Sequence, residues 1–507
     1  MPGISLRTVR GRSIAVGGVA LLYGLTLVLV RGEPSATGDQ GVFLSVAARM
    51  LDGDKLYSEV IENKDPLFFY TYADALELGG WRGPFLLDGL WLAIGALAMG
   101  LLLRELRAPR AAVVTGFLVY PLALTSGWYL AGLSMLGALA LVPLIPWAWL
   151  RGRYVGAGAL LAVVLLFKLN LAALVAAPLA ALLLLGVPEG SRLRHAVRAG
   201  GGLVAALLGA ALVLAVFAGL PAYLESIEDN TRYANGLLHS DGTLSRMREH
   251  FDIVLEYFRA AGRWQLPAAL LVVAVVAGLV VVSWTRFLRP IRVLASTTAV
   301  TLMLTLLTLA LTAYWSHHLQ MLAYPATLMA ATLVAAVVAK LGARAGAVGA
   351  AVCVAFALWS SVKNEDGLHV RRTWDVTPIS VGADLLNGAR ARYYPDARHV
   401  SYIAFGGNSE NAHAVFIEDG FDLSCRWFQL YPVSLDHQLR ETLECARREK
   451  PALVLITLGF FDERSVSDPR WGAFVHGACT FLDEDYEKVS EAYPGFEVWK
   501  LQAAPPS

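Results

Sequence analysis

Charged residues are scarce in this chain. They make up 16% of its 507 residues, against 56% hydrophobic, where a soluble domain carries about 25% charged. The deficit excludes a water-soluble fold for most of the length. With a net charge of +1, no global field suggests nucleic acid or an acidic partner. Cysteine is also sparse: Cys353, Cys425, Cys445 and Cys479 show no C-x-x-C spacing, so no zinc site is legible. Cys353 lies in an apolar run and reads as core packing. The other three lie in a polar C-terminal region, where one disulfide among them is expected if that region is extracytoplasmic. A G-x-G-x-x-G pattern is missing, and the Gly406-Gly407-Asn408-Ser409 turn lacks the spacing for a nucleotide. There is no internal repeat and no low-complexity tract, so the inverted-repeat signature of many transporters is not evident.

What the chain has in abundance is long apolar runs. About 20 such residues cross a bilayer core. The candidate spans are 13–31, 85–103, 111–127, 129–150, 154–168, 170–187, 199–220, 264–285, 293–312, 321–339 and 345–362. The fifth and sixth are short and read as a broken or re-entrant pair around Lys168 and Asn170. The first follows Arg7, Arg10 and Arg12. It is long for a signal peptide and lacks a clear cleavage site, so it reads as a retained helix.

Charge sorts the connections. Alternate loops carry Arg104, Arg107 and Arg110; Arg151 and Arg153; Arg192, Arg194 and Arg198; Arg286, Arg289 and Arg292; and Lys340 with Arg344. These join the basic N-terminus on the cytoplasmic side by the positive-inside rule. The other side receives the acidic loop 32–84, loop 221–263, the turn 314–320 and everything after 362. The expectation is an α-helical polytopic membrane protein of about eleven spans, residues 1–362, followed by an extracytoplasmic α/β domain, residues 363–507. Within that domain 399–405 and 453–458 read as buried strands and 496–501 as an edge strand. Residues 411–417 and 435–448 read as helices.

The first outer loop holds the most chemistry. Gly38-Asp39-Gln40-Gly41 opens it, and 42–51 follow with helical periodicity. Gly53, Asp54 and Leu56-Tyr57 make a turn. In Lys64-Asp65-Pro66-Leu67-Phe68-Phe69-Tyr70 a proline starts a second amphipathic helix, with Asp74 and Glu77 on its polar face, suited to the membrane interface. Long outer loops are often merely acidic and solvated, and Asp39 read alone is more often hydrated than catalytic. Lys168 reads equally as a phosphate ligand or as a snorkelling interfacial lysine. Tyr314, His317 and His318 sit where an aromatic belt is ordinary, although adjacent histidines between apolar helices are uncommon. Adjacent histidines also lack the i, i+4 geometry of a zinc pair. Tyr223 and Tyr233 belong to a stretch that is either a cover over an acceptor site or a solvated amphipathic linker.

The order and spacing of three elements resemble the GT-C superfamily of glycosyltransferases. The likeness is strongest to the family of protein O-mannosyltransferases and lipid A aminoarabinose transferase. The elements are Asp39 after the first helix, the run from Ala47 through Gly53 to Tyr57, and Lys64-Asp65-Pro66-Leu67-Phe68-Phe69-Tyr70. The close match covers about 35 residues. Many members carry Asp-Glu where this chain has Asp39-Gln40, and Lys-Pro-Pro where it has Lys64-Asp65-Pro66. The resemblance implies a GT-C fold and an inverting glycosyltransferase. A polyprenyl-phosphate-linked sugar would be the donor, and a hydroxyl on a cell-wall glycan, glycolipid or protein the acceptor, with no nucleic acid involved. It implies Asp39 as general base, and Lys64, Lys168, His317, His318, Tyr314 and Tyr57 as contacts to donor phosphate or sugar. No cofactor is certain; a divalent metal stays open, because Gln40 removes the second carboxylate. The Ala-, Gly- and Arg-rich composition suggests a GC-rich bacterium and its inner membrane. The alternative from another class is a transporter or lipid flippase with an outer sensor domain. It would require a polar path through mid-membrane, and the spans show little of one. A third reading is a membrane anchor whose C-terminal domain only binds glycans or partners.

Overall fold

Apolar runs of this length satisfy their backbone groups internally by coiling into helices, the economical solution in a medium without water. The computed structural model describes residues 6–31, 38–62, 64–125, 134–171, 189–217, 219–236, 289–312, 320–363, 381–405, 420–426, 435–457, 469–493 and 496–502, with isolated positions between. The helices in chain order are α1 (Leu6–Arg31), α2 (Gly38–Leu51), α3 (Pro66–Gly79), α4 (Gly83–Glu105), α5 (Arg110–Leu124), α6 (Ser134–Leu141), α7 (Leu144–Leu150) and α8 (Tyr154–Phe167). They continue with α9 (Glu189–Phe217), α10 (Leu220–Gly236), α11 (Arg289–Thr312), α12 (Ala323–Lys363), α13 (Val381–Tyr393), α14 (Asp436–Glu449) and α15 (Pro469–Asp485). The chain divides into two units. One gathers residues 1–33, 84–210 and 239–373, the other 34–83, 211–238 and 374–507.

Three described stretches are long and apolar enough to cross a membrane: Gly83–Glu105, Ser191–Phe217 and Gln320–Trp359. The second of these is diagnostic. Leu193, Val197, Leu208, Leu212 and Phe217 all stand at least 63% exposed. Each such side chain left in water forgoes about 1.5 kcal/mol or more of burial, so a face of this kind implies a hydrocarbon surrounding. Where α9 meets α8, the backbones touch. A Cβ on Gly158 would lie 1.8 Å from the Ala199 carbonyl oxygen, and one on Gly202 would lie 2.1 Å from that of Val155. Small residues at such crossings are how membrane helices gain contact.

Several spans take a form the sequence did not specify. The run 129–150 is described as two helices, α6 and α7, joined at Pro143, which has no N–H to continue the ladder. The runs 321–339 and 345–362 form α12, broken at Gly342 with φ 86° and ψ 176°. Val338 lies against Gly346 across this break. At the fifth span the helix ends at Phe167. Lys168 is extended (φ −163°, ψ 99°) with its N–H on the Val164 carbonyl at 2.9 Å, and a 3₁₀ turn Leu169–Leu171 follows. The expected break at Lys168 is thus present. The span 264–285, and 170–187 beyond its first residues, lie outside the described residues.

In the second unit, strands β1 (Val400–Phe405), β2 (Phe421–Leu423), β3 (Leu453–Thr457), β4 (Tyr486–Tyr493) and β5 (Phe496–Leu501) form one sheet in the order β2-β1-β3-β5-β4. β1 is parallel to β2 and β3, with Ile403 opposite Val454, while β5 runs antiparallel to β3 and β4. Phe405, Ile456, Trp471, Phe474, Phe481 and Tyr486 fill the core beneath α14 and α15. The run 496–501 is therefore an inner strand rather than an edge. The edge is β4, where exposed Glu487 and Lys488 discourage pairing with another chain. The expected helix at 435–448 is α14; the one at 411–417 lies outside the described residues. Cys425 and Cys445 are disulfide-bonded, and Cys353 and Cys479 are free thiols.

Candidate functional site

α2 begins at Gly38, so Asp39 falls in its first turn rather than ahead of it. A negative side chain is favoured there by the helix dipole. The Asp39 side chain lies outside the described part of the structure. α2 stops by winding tightly: Asp52 and Asp54 donate their N–H groups to Ala48 and Arg49 carbonyls at 3.0 Å each, and Gly53 takes φ 109°. Arg49 closes an ion pair with Asp54.

Residues 55–62, 64 and 65 then belong to a small self-bonded loop. The Lys55 carbonyl accepts from Ser58 N–H at 3.2 Å and Glu59 N–H at 2.9 Å, and Lys55 N–H bonds to Glu59 Oε2 at 2.7 Å. Tyr57 adopts φ 68° with its N–H on the Val60 carbonyl at 2.7 Å. Its ring is fully buried, and its hydroxyl donates to the Lys64 carbonyl at 2.7 Å. Tyr223 of α10 packs on it at 4.9 Å between centroids and donates its hydroxyl to Asp65 Oδ1 at 3.0 Å. Burial, reinforced by the Asp65 charge, pushes both tyrosines well above the ordinary phenol range. They therefore remain donors at any physiological pH. Asp65 precedes α3 without a side-chain capping hydrogen bond, and the helix starts with Pro66 in its first turn.

Lys64 is held from two sides. Its N–H donates to Glu62 Oε2 at 2.9 Å, and its Nζ lies 3.7 Å from Glu62 Oε1. The same Nζ sits 5.3 Å above the Phe43 ring, within cation–π range. Phe43 belongs to an aromatic cluster with Phe68, Phe69 and Tyr72 at 5.0, 6.0 and 6.4 Å. The buried face of α3 makes this cluster, while Asp74 and Glu77 stand exposed on the other face as its amphipathic pattern requires. Lys64 is thus a largely buried side chain that lies beside the Glu62 carboxylate. An anionic ligand there would share or displace Glu62.

Of the residues singled out in the sequence, Tyr57, Lys64 and Tyr223 come together around Asp65. Tyr233 lies on α10, with its side chain outside the described part. Lys168 belongs to the first unit. Tyr314, His317 and His318 lie outside the described residues. Among the described residues no group of three His, Cys, Asp or Glu could hold a metal ion.

Three buried acidic residues were not singled out as site residues in the sequence. Glu62 was one of many acids in the loop, and only its 8% side-chain exposure beside Lys64 separates it from them. Asp88 is 3% exposed inside the apolar helix α4. A carboxylate within a membrane span is itself the signal. Asp229, on what reads as a linker but folds as α10, is 6% exposed and bonds to His437 Nε2 at 2.8 Å.

No family model and no curated protein matches the chain. Its backbone does match solved structures. One is ArnT from Cupriavidus metallidurans in the apo state, with TM-score 0.54 and 14% identity, over 97% of this chain and 98% of that one. Another is the arabinofuranosyltransferase AftD from Mycobacteria, with TM-score 0.53 and 14% identity, over 99% of this chain and 40% of that one. The chain therefore spans about two fifths of AftD and nearly the whole of ArnT. Both are GT-C superfamily members, and at this identity the likeness establishes the GT-C fold.

Proposed function

We propose that this chain is an inverting glycosyltransferase. It takes a sugar from a polyprenyl-phosphate carrier and transfers it to a hydroxyl acceptor on the outer face of a bacterial inner membrane. The observation that carries the reading is the loop ending in Lys64-Asp65-Pro66, built rigidly beside α2 on a GT-C scaffold. Two further observations support the orientation. Of the segments that charge places outside, 32–84, 221–263 and beyond 362, the parts 34–83, 221–238 and 374–507 belong to one unit, while 239–263 belongs to the other. That unit also contains the disulfide, which persists in oxidising compartments.

The chemistry assigns one task to each class of residue. Asp39 removes the acceptor proton as the oxygen attacks the anomeric carbon, a contribution of roughly 10²–10⁴-fold. The lipid phosphate departs on the opposite side with the bond pair, so the centre inverts. Its growing charge calls for fixed cations; Lys64 and Lys168 are the assigned ones, with His317, His318 and Tyr314 beside phosphate or sugar. Tyr57 acts from beneath, fixing the backbone at Lys64. Tyr223 and Tyr233 place α10 toward the acceptor. The acceptor class is a cell-wall glycan, a glycolipid or a protein hydroxyl.

The test uses the purified full chain in nanodiscs with a panel of radiolabelled polyprenyl-phosphate sugars. Transfer from at least one donor is expected, and Asp39→Asn should lower kcat by about 10²-fold or more. Transfer by Asp39→Asn at the wild-type rate would remove Asp39 from the mechanism. Silence of the wild type toward every donor and acceptor would remove the reaction itself.

A further inference from the structure

We infer that a closed ring of polar contacts running through the C-terminal sheet domain positions the loop 55–65, and that Asp229 and His437 are the link that closes it. The catalytic half of this inference rests on the function proposed above.

The ring can be followed contact by contact. From Asp65 it passes to the Tyr223 hydroxyl at 3.0 Å and so onto α10. Just ahead of that helix, Gly219 takes φ 78°, and a Cβ there would lie 2.4 Å from Ser58 Oγ. The start of α10 is therefore seated on the loop by a second, independent approach. Further along α10, Asp229 Oδ2 accepts from His437 Nε2 at 2.8 Å and from Gln438 Nε2 at 3.4 Å. These two residues open α14, where Gln438 Oε1 also receives the Leu435 N–H at 3.0 Å. One turn later Glu441 binds the Arg426 guanidinium, with Nε at 3.1 Å. The Arg426 carbonyl then accepts the Ile61 N–H at 2.9 Å, which returns the path to the loop.

The burial of Asp229 gives the ring its meaning. A carboxylate on a solvated linker helix has no reason to leave water, since an ionised group taken into a protein without partners is strongly disfavoured. Here it is 6% exposed and meets an imidazole and an amide, both on α14. The carboxylate therefore fixes the rotation of α10 about its own axis. That rotation sets where Tyr223 meets Asp65, next to Lys64. Asp229 and His437 act on Lys64 through other groups, so they are positioning residues.

The experiment compares wild type, Asp229→Ala, His437→Ala and His437→Gln as full chains in nanodiscs. Hydrogen exchange at residues 55–65 is read without substrate, with β3 as internal control, and transfer kinetics are read separately. Both alanine variants should speed exchange in the loop by about tenfold or more with β3 unchanged, and lower kcat/KM by about tenfold. His437→Gln, which keeps an N–H donor, should restore both readings most of the way. Unchanged loop exchange in His437→Ala would overturn the inference even if transfer is observed. Faster exchange with undiminished transfer would overturn its catalytic half. Faster exchange in an enzyme silent toward all donors would uphold the ring and overturn the reaction instead. Loss of β3 protection in the alanine variants, unrelieved in His437→Gln, would reduce the link to general stability and overturn the assignment.

Discussion

Lys64 illustrates how a cationic side chain can be kept largely buried. Its ammonium is shared between the Glu62 carboxylate and the Phe43 ring, and breaking a largely buried pair by removing one partner is expensive. If Lys64 receives a phosphate, Glu62 competes with that phosphate. Lys64→Ala should then raise the donor KM on the order of tenfold, the worth of one charge-assisted contact. Glu62→Gln should lower it, because the amide oxygen can still accept the Lys64 N–H while the competing charge is gone. Two changes of opposite sign in KM cannot come from a loop that has simply loosened; a rise in both variants would show that the pair is only scaffolding. The sequence singled out Lys64 and Tyr57 only through the resemblance to the GT-C family. It could not make Glu62 visible, because an acid in an acidic loop looks solvated until the fold buries it. Tyr223 was placed in a stretch that covers an acceptor site or links helices, and its bond to Asp65 spans 158 positions, beyond any local pattern.

At the scale of the element, Gly342 decides the shape of α12. Its φ of 86° and ψ of 176° fall in a region essentially reserved for glycine. Gly342→Ala should cost about 1–3 kcal/mol and lower the thermal midpoint of the detergent-solubilised protein. Gly349→Ala is the control, since a Cβ there meets Val334 Cγ2 at an ordinary 3.9 Å. Equal midpoints for the two variants would mean that the break is not needed. Both halves of α12 were legible as separate apolar runs, because hydrophobicity alone marks a membrane helix. α14 was legible for a different reason: its apolar and polar faces separate at helical spacing. β4 was not, because Glu487 and Lys488 hide its alternation, and the same charges suit it to an edge. α10 read either as a cover over an acceptor site or as a solvated amphipathic linker, because its polar residues are numerous. The contact of Tyr223 with the Tyr57 ring was not legible, because the two lie far apart in the chain.

For the molecule as a whole, the disulfide ties the end of β2 to α14 across 20 residues. A crosslink of that span stabilises by about 3 kcal/mol in the chain-entropy account. Replacing both Cys425 and Cys445 by serine should lower the denaturant midpoint of the second unit, followed by tryptophan fluorescence of Trp471 and Trp499, and leave the first unit's helicity in place. An unaltered midpoint would show that the bond contributes no stability. Which cysteines pair, like which loops gather into one unit, was not legible from spacing, because both depend on where distant strands and helices meet.

That gathering has a consequence for how the protein is made. Arg49 reaches the Cys425 carbonyl across 376 positions of chain. At a translation rate of about 5–20 residues per second, the partner emerges roughly 20–75 s after the arginine does. For that interval Phe43, Phe68, Phe69 and the loop beside them exist without the β-sheet part of their unit. A newborn chain stalled or cleaved before residue 420 would therefore keep its hydrophobic helices but leave the second unit unfinished, a target for quality-control proteases.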